Sequence, residues 1–185
     1  MSTKQLDKFT TGVEIPDNVN VSLKSHMLNV EGPLGKTYKN FKKIPVDIVI
    51  DEKKVSLKAQ GTRNVNYAIM NTARSIIRNL MEGVVEGYTI KMKIVFSHFP
   101  INVKVDGKKV LIENFQGERA ARVTKIWGET KVVPKGDDVI ITGHVLTDVS
   151  QTAAEIENGS RVKNKDHRVF LDGIYKFEKK KGIEK

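Results

Sequence analysis

One internal echo constrains this chain more than any other feature. IPDNVNV, from Ile15 to Val21, returns as FPINVKV, from Phe99 to Val105, at an offset of 84 residues. After a one-residue gap, NVEG at Asn29–Gly32 meets NFQG at Asn114–Gly117. The original offset then pairs VSLKAQ at Val55–Gln60 with VIITGH at Val139–His144, and VEGY at Val85–Tyr88 meets LDGIY at Leu171–Tyr175. Four matches in one order describe two copies of a unit, so the fold must be one that half the chain can form.

Each copy reads as short strands followed by one helix. Alternation in VNVSL and MLNV predicts two strands in the first copy. NVKV, the Asp106-Gly107 turn signal and VLIENF predict a hairpin in the second. VDIVI and VSLKA, then KVV and DVIITG around a GDD turn, add further strands. In the first copy Val65, Ile69, Ala73, Ile76 and Leu80 recur at helical spacing, placing Arg74 and Arg78 on another face. DVSQTAAEIE is the second helix, with Asp148 or Ser150 as N-cap and Asn158-Gly159 as its stop. YTIKMKIVF closes the first copy and VFL with IYKF the second. The expectation is an α+β fold: two tandem domains of one duplicated design, each a small, mainly antiparallel sheet unit with one packed helix. The boundaries expected are an N-terminal extension (1–11), a first repeat (12–95), a second repeat (96–178) and a basic C-terminal tail (179–185).

Thirty-two basic residues against twenty-two acidic ones give a formal charge of +10, spread over both copies. Such a surplus attracts polyanions, nucleic acid foremost. Without cysteine, thiolate catalysis, disulfides and zinc–sulfur sites are excluded. The polar start, MSTKQLDKFTTG, lacks the apolar stretch of a signal peptide, and no apolar run approaches the roughly 20 residues that cross a bilayer. A cytoplasmic protein with no membrane partner is expected.

The chemistry of catalysis is not spelled out. His26, His98, His144 and His167 show no metal-ligand spacing. EGPLGKT (Glu31 to Thr37) lacks the spacer of a phosphate loop and reads as a turn between strands. Asp166 and His167 suggest an acid–base pair, but neighbours on an extended chain point to opposite faces. From Arg161 to Lys181 eight basic residues stand against three acidic ones, flanking VFLDGIY. Lysine and arginine neutralise phosphates without reading sequence. The candidate RNA contacts are therefore Arg161, Lys163, Lys165, His167, Arg168, Lys176, Lys179, Lys180 and Lys181, joined by Lys108 and Lys109 beside the hairpin turn. Tyr175 could stack on a base or serve as an edge residue of the sheet. Lys36, Lys39, Lys42 and Lys43 read as solvated surface. Few aromatics and no single-strand motif favour recognition of folded RNA by backbone and shape.

The doubled unit, IPDNVNV, NVEGPLG and above all VKNKDHRVFLDGIY resemble the universal large-subunit ribosomal protein six family, in its archaeal and eukaryotic form. The resemblance covers the chain from about Gly12 to Lys180 and implies a non-enzymatic constituent of the large ribosomal subunit. It implies binding to large-subunit rRNA mainly through the second domain and C-terminal segment. It further implies neighbouring ribosomal proteins, proximity to docking translational GTPases and to the sarcin–ricin stem, and no cofactor or small-molecule substrate. On it Lys163, Lys165, Arg168 and the lysines after Tyr175 lead the contacts, and Asp172-Gly173 shapes the backbone. The alternatives are a non-ribosomal structured-RNA module and an RNA-acting enzyme.

Overall fold

The computed structural model describes residues 9–51, 53–166 and 168–183. The chain divides into two compact units, Met1–Val85 and Glu86–Lys185. The first contains β1 (Thr10–Glu14), β2 (Asn20–Lys24), β3 (Met27–Gly32), β4 (Gly35–Asn40), β5 (Val46–Asp51), β6 (Lys54–Ala59) and the helix α1 (Asn64–Val85). Its strands form two antiparallel sheets, β1-β6-β5 and β2-β3-β4. The second contains β7 (Tyr88–Val95), β8 (Asn102–Asp106), β9 (Lys109–Glu113), β10 (Arg122–Lys125), β11 (Lys131–Lys135), β12 (Asp138–Gly143), α2 (Leu146–Gly159) and β13 (Gly173–Lys181). Its sheets are β10-β9-β8 and β11-β12-β7-β13. The fold is α+β, with one α-helix in each unit among the described residues, in line with the repeat.

The two units are copies, but their register differs from the one the sequence suggests. Lys24 faces Met27 across the β2–β3 turn, and Asp106 faces Lys109 across the β8–β9 turn, an offset of 82. A two-residue slip keeps every side chain on its face, so alternation alone cannot detect it. Only the β6–β12 match holds at 84. Asn29 lies within β3, whereas Asn114 leaves β9 with φ 56 and begins the 3-10 turn at Phe115–Gly117. VEGY and LDGIY are not counterparts either: β7 and β13 are antiparallel neighbours, with Gly173 opposite Val95 and Lys181 opposite Tyr88.

This moves a strand across the expected boundary. β7 borders β12 as β1 borders β6, so it opens the second unit rather than closing the first. β13 then adds an edge strand with no counterpart among the described residues of the first unit. Lys179, Lys180 and Lys181, expected in a tail, are strand residues paired with β7. Val169 lies in a turn and Phe170–Leu171 in irregular chain, so VFL is no strand. EGPLGKT is the turn it was expected to be, with Gly32 opposite Gly35.

Packing explains the helices. α1 buries Met70, Ala73, Ile77, Met81 and Val84 against β3 and β6, while Val65 is exposed. The apolar band is wide enough that the spacing beginning at Val65 marks its flank rather than its centre. α2 starts at Leu146 with Val145 as N-cap, earlier than either expected cap, and Asp148 falls in its first turn. It inserts Val149, Ala153 and Ile156 into a core with Phe115, Ile112, Ile141 and Ile174. Residue-by-residue burial of this kind, not intrinsic propensity, sets where such a short helix begins.

Candidate nucleic-acid interface

The basic cluster is anchored where α2 ends. Arg122, at the start of β10, donates to both Glu118 carboxylate oxygens at 2.6 and 2.8 Å and to the carbonyls of Gly159 (3.1 Å) and Arg161 (2.8 Å). Its guanidinium lies 4.0 Å from the centroid of Phe115. One planar fork of five donors thus caps the helix C-terminus and fixes the chain at Arg161. Ser160 accepts from the Ile174 N–H at 3.0 Å, tying the same point to the start of β13.

From this anchor Arg161, Lys163, Lys165 and Arg168 emerge exposed. The loop that carries them is held by Asp172, which accepts from the Ser97 N–H at 2.7 Å and from the Gln116 side chain at 3.3 Å. Gln116 itself has φ 51, in the left-handed region. Such a conformation costs about 1 kcal/mol or more in a residue with a side chain, so the surrounding bonds must enforce it. Arg168 donates to Asp166 from its backbone N–H at 2.9 Å and from its guanidinium at 2.9 to 3.3 Å. Asp166 and Arg168 thus form an exposed ion pair within the loop. His167 lies outside the described residues.

β13 extends the basic surface along an edge. Residues alternate along it: Ile174 opposes Ile94 in the core, while Tyr175 opposes Lys93 on the outer face. A bulge between Lys176 and Glu178 then shifts the register. Lys176 and Lys179 are exposed, as are Lys180 and Lys181. Glu178 bridges Lys180 at 2.9 Å and Lys91 at 3.5 Å, and its carboxyl sits below the usual range, first through the hydrogen bond from Lys180. The nine-residue strand spans roughly 30 Å, long enough to follow several phosphates. Lysines on a sheet edge also discourage pairing with another chain.

Tyr175 has a structural duty. Its hydroxyl donates to the Leu171 carbonyl at 3.1 Å, and its ring lies so close over Gly173 that a Cβ there would sit 2.8 Å from the ring. The residue remains 43% exposed, leaving part of the ring to solvent.

Lys108 and Lys109 do not join this cluster. Lys108 follows Gly107 (φ 56) in the β8–β9 turn, and Lys109 pairs with Lys125 at the end of β10 farther from Arg122. Lys125 stacks 4.7 Å from Trp127, forming a second, smaller basic corner. Sequence reasoning missed Arg122 and the exposed Arg119; the GERAAR stretch carried both, but nothing local says which arginine is the strut.

Glu118 makes the electrostatics testable. The hydrogen bond from Arg122 holds its carboxyl below the ordinary glutamate value; partial burial opposes this, and the charges of Arg122, Lys163 and Lys165 add to it. A depressed carboxyl stabilises the fold above its unfolded pKa and loses that contribution as pH falls through the folded value. The stability advantage of the native protein over Glu118→Gln is therefore constant at neutral pH and shrinks below pH 4.5. Urea unfolding at several acidic pH values checks it; an advantage unchanged down to about pH 3 contradicts the coupling.

No group of three or more His, Asp or Glu side chains among the described residues could hold a metal ion. No helix among them is long and apolar enough to cross a membrane. Residues 99–173 match the family model described as ribosomal protein L6. The chain is 41% identical over 167 residues to the large ribosomal subunit protein uL6 of Methanosarcina mazei, covering 90% of this chain and 95% of that one. It is 44% identical over 164 residues to the protein of that name from Methanocella arvoryzae, covering 88% and 93%. It is 40% identical over 167 residues to its counterpart in Halobacterium salinarum, covering 90% and 94%.

Proposed function

We propose that this chain, which belongs to the ribosomal protein L6 family in its archaeal and eukaryotic branch, is a structural, non-enzymatic constituent of the large ribosomal subunit. It works in the cytoplasm as part of the ribosome. Its second unit binds large-subunit rRNA through the phosphate backbone and the shape of folded RNA, beside neighbouring ribosomal proteins. The position proposed is near the sarcin–ricin stem, in the region where translational GTPases dock. No cofactor or small-molecule substrate enters this role.

The observation that carries the reading is the cluster anchored by Arg122. There Arg161, Lys163 and Lys165 project from a loop fixed at both ends, and β13 continues the cationic surface. A prepositioned row of cations releases counterions from RNA without first ordering its own chain. The chain is expected to cosediment with large subunits after salt washing; recovery in the free fraction overturns the assignment.

A further inference from the structure

The same loop forms something a purely electrostatic surface does not need. Phe99 and Phe170 are 50% and 40% exposed, and they line a cleft of about 210 Å³ with Val169, Gln116, Lys165 and Asp172. Lys165 Nζ lies 4.8 Å from the centroid of Phe170. We infer that this cleft receives one unpaired base of the bound RNA. The inference rests on the RNA-binding reading above and adds to it a site for a single nucleotide.

Three features select a base over other occupants. Exposed aromatic rings offer a stacking surface, and any base offers a π surface to match. The Asp172 carboxylate lines the cleft, where it repels a phosphate but accepts from the N–H groups of a base edge. Lys165 at the cleft, with Lys163 and Arg161 leading to it along the loop, supplies cations for the flanking phosphates. The cleft is also held open in advance. Asp172 ties Ser97 and Gln116 together, Gln116 keeps its left-handed backbone, and Phe99 packs against Gly117, where a Cβ would lie 3.2 Å from its ring.

The test separates stacking from charge by salt dependence. Binding to transcribed large-subunit rRNA is measured at several salt concentrations for the wild type, Phe170→Leu, Phe170→Trp and Lys165→Gln. Phe170→Leu keeps the apolar bulk but loses the ring, and is expected to bind about five- to a hundredfold more weakly at every salt concentration. Its log–log salt slope stays that of the wild type, whereas Lys165→Gln lowers the slope by about one. Phe170→Trp, in a Trp127→Phe background, retains affinity, and its emission is quenched by the rRNA. A fully paired duplex, with no base to offer, binds wild type and Phe170→Leu alike.

Unchanged rRNA affinity in a folded Phe170→Leu overturns the inference. So does an indole emission of the Phe170→Trp variant that is indifferent to rRNA, which is what an apolar protein contact would give. A wild-type protein without rRNA affinity fails at the earlier step, sinking the ribosomal reading and this site with it.

Discussion

Reversing Lys163, Lys165 and Arg168 to glutamate together lowers affinity for large-subunit rRNA by roughly a thousandfold or more at physiological salt, leaving the fold intact. All three side chains are exposed, so no buried contact is lost. The physical content lies in the slope: three fewer phosphate contacts reduce the log–log salt dependence by about three. The residues are not equal. The Arg168 guanidinium already meets Asp166, so freeing it for a phosphate means giving up an ion pair. Arg168→Glu alone should therefore cost less than Lys163→Glu, which gives up no such competing pair among the described residues. Filter binding across salt concentrations measures both quantities. Retained affinity in the triple variant places the RNA contact on another surface.

Replacing Arg122 by leucine destabilises the second unit by about 1–3 kcal/mol. Leucine keeps an apolar stem over Phe115 but removes the donor to the carbonyls of Gly159 and Arg161 and the partner of Glu118. Glu118 is 43% exposed and the Arg161 carbonyl is open to water, so the part-buried Gly159 carbonyl carries more of the cost. Lysine at this position cannot reproduce the fork and should recover less than half of the loss. Urea denaturation reads the stability. The rRNA titration reads the second consequence: with Arg161 no longer pinned, the basic loop must be ordered on binding, and affinity falls although no phosphate contact has been removed. A variant as stable as the wild type would show that Arg122 is an ordinary surface cation.

The duplication, the α+β class and the one-helix layout were legible because alternating and helical spacings are local properties of the chain. The boundary was not. Tyr88–Val95 follows α1 directly, and its alternation is equally compatible with ending one unit or beginning the next. Hydrogen bonds to β12 and β13 decide the matter. The same applies to Lys179–Lys181, which look like a solvated tail until their backbone is seen paired with Thr89 and its neighbours. The basic segment from Arg161 to Arg168 could be picked out by composition. Its anchors could not, since Arg122 lies 39 residues from Arg161 and Asp172 lies 75 from Ser97.

By itself, then, the sequence determined how many units the chain makes, which class of polymer its charge attracts and which chemistries its residues exclude. Tertiary structure alone decided which cations share a surface, which arginine is a strut rather than a contact, and that Phe99 and Phe170 meet at one cleft. Charge and periodicity sum over neighbouring residues and survive in any fold. A site depends on side-chain bonds between segments far apart in the chain, and those exist only once the sheets have paired and the helix has filled the space between them.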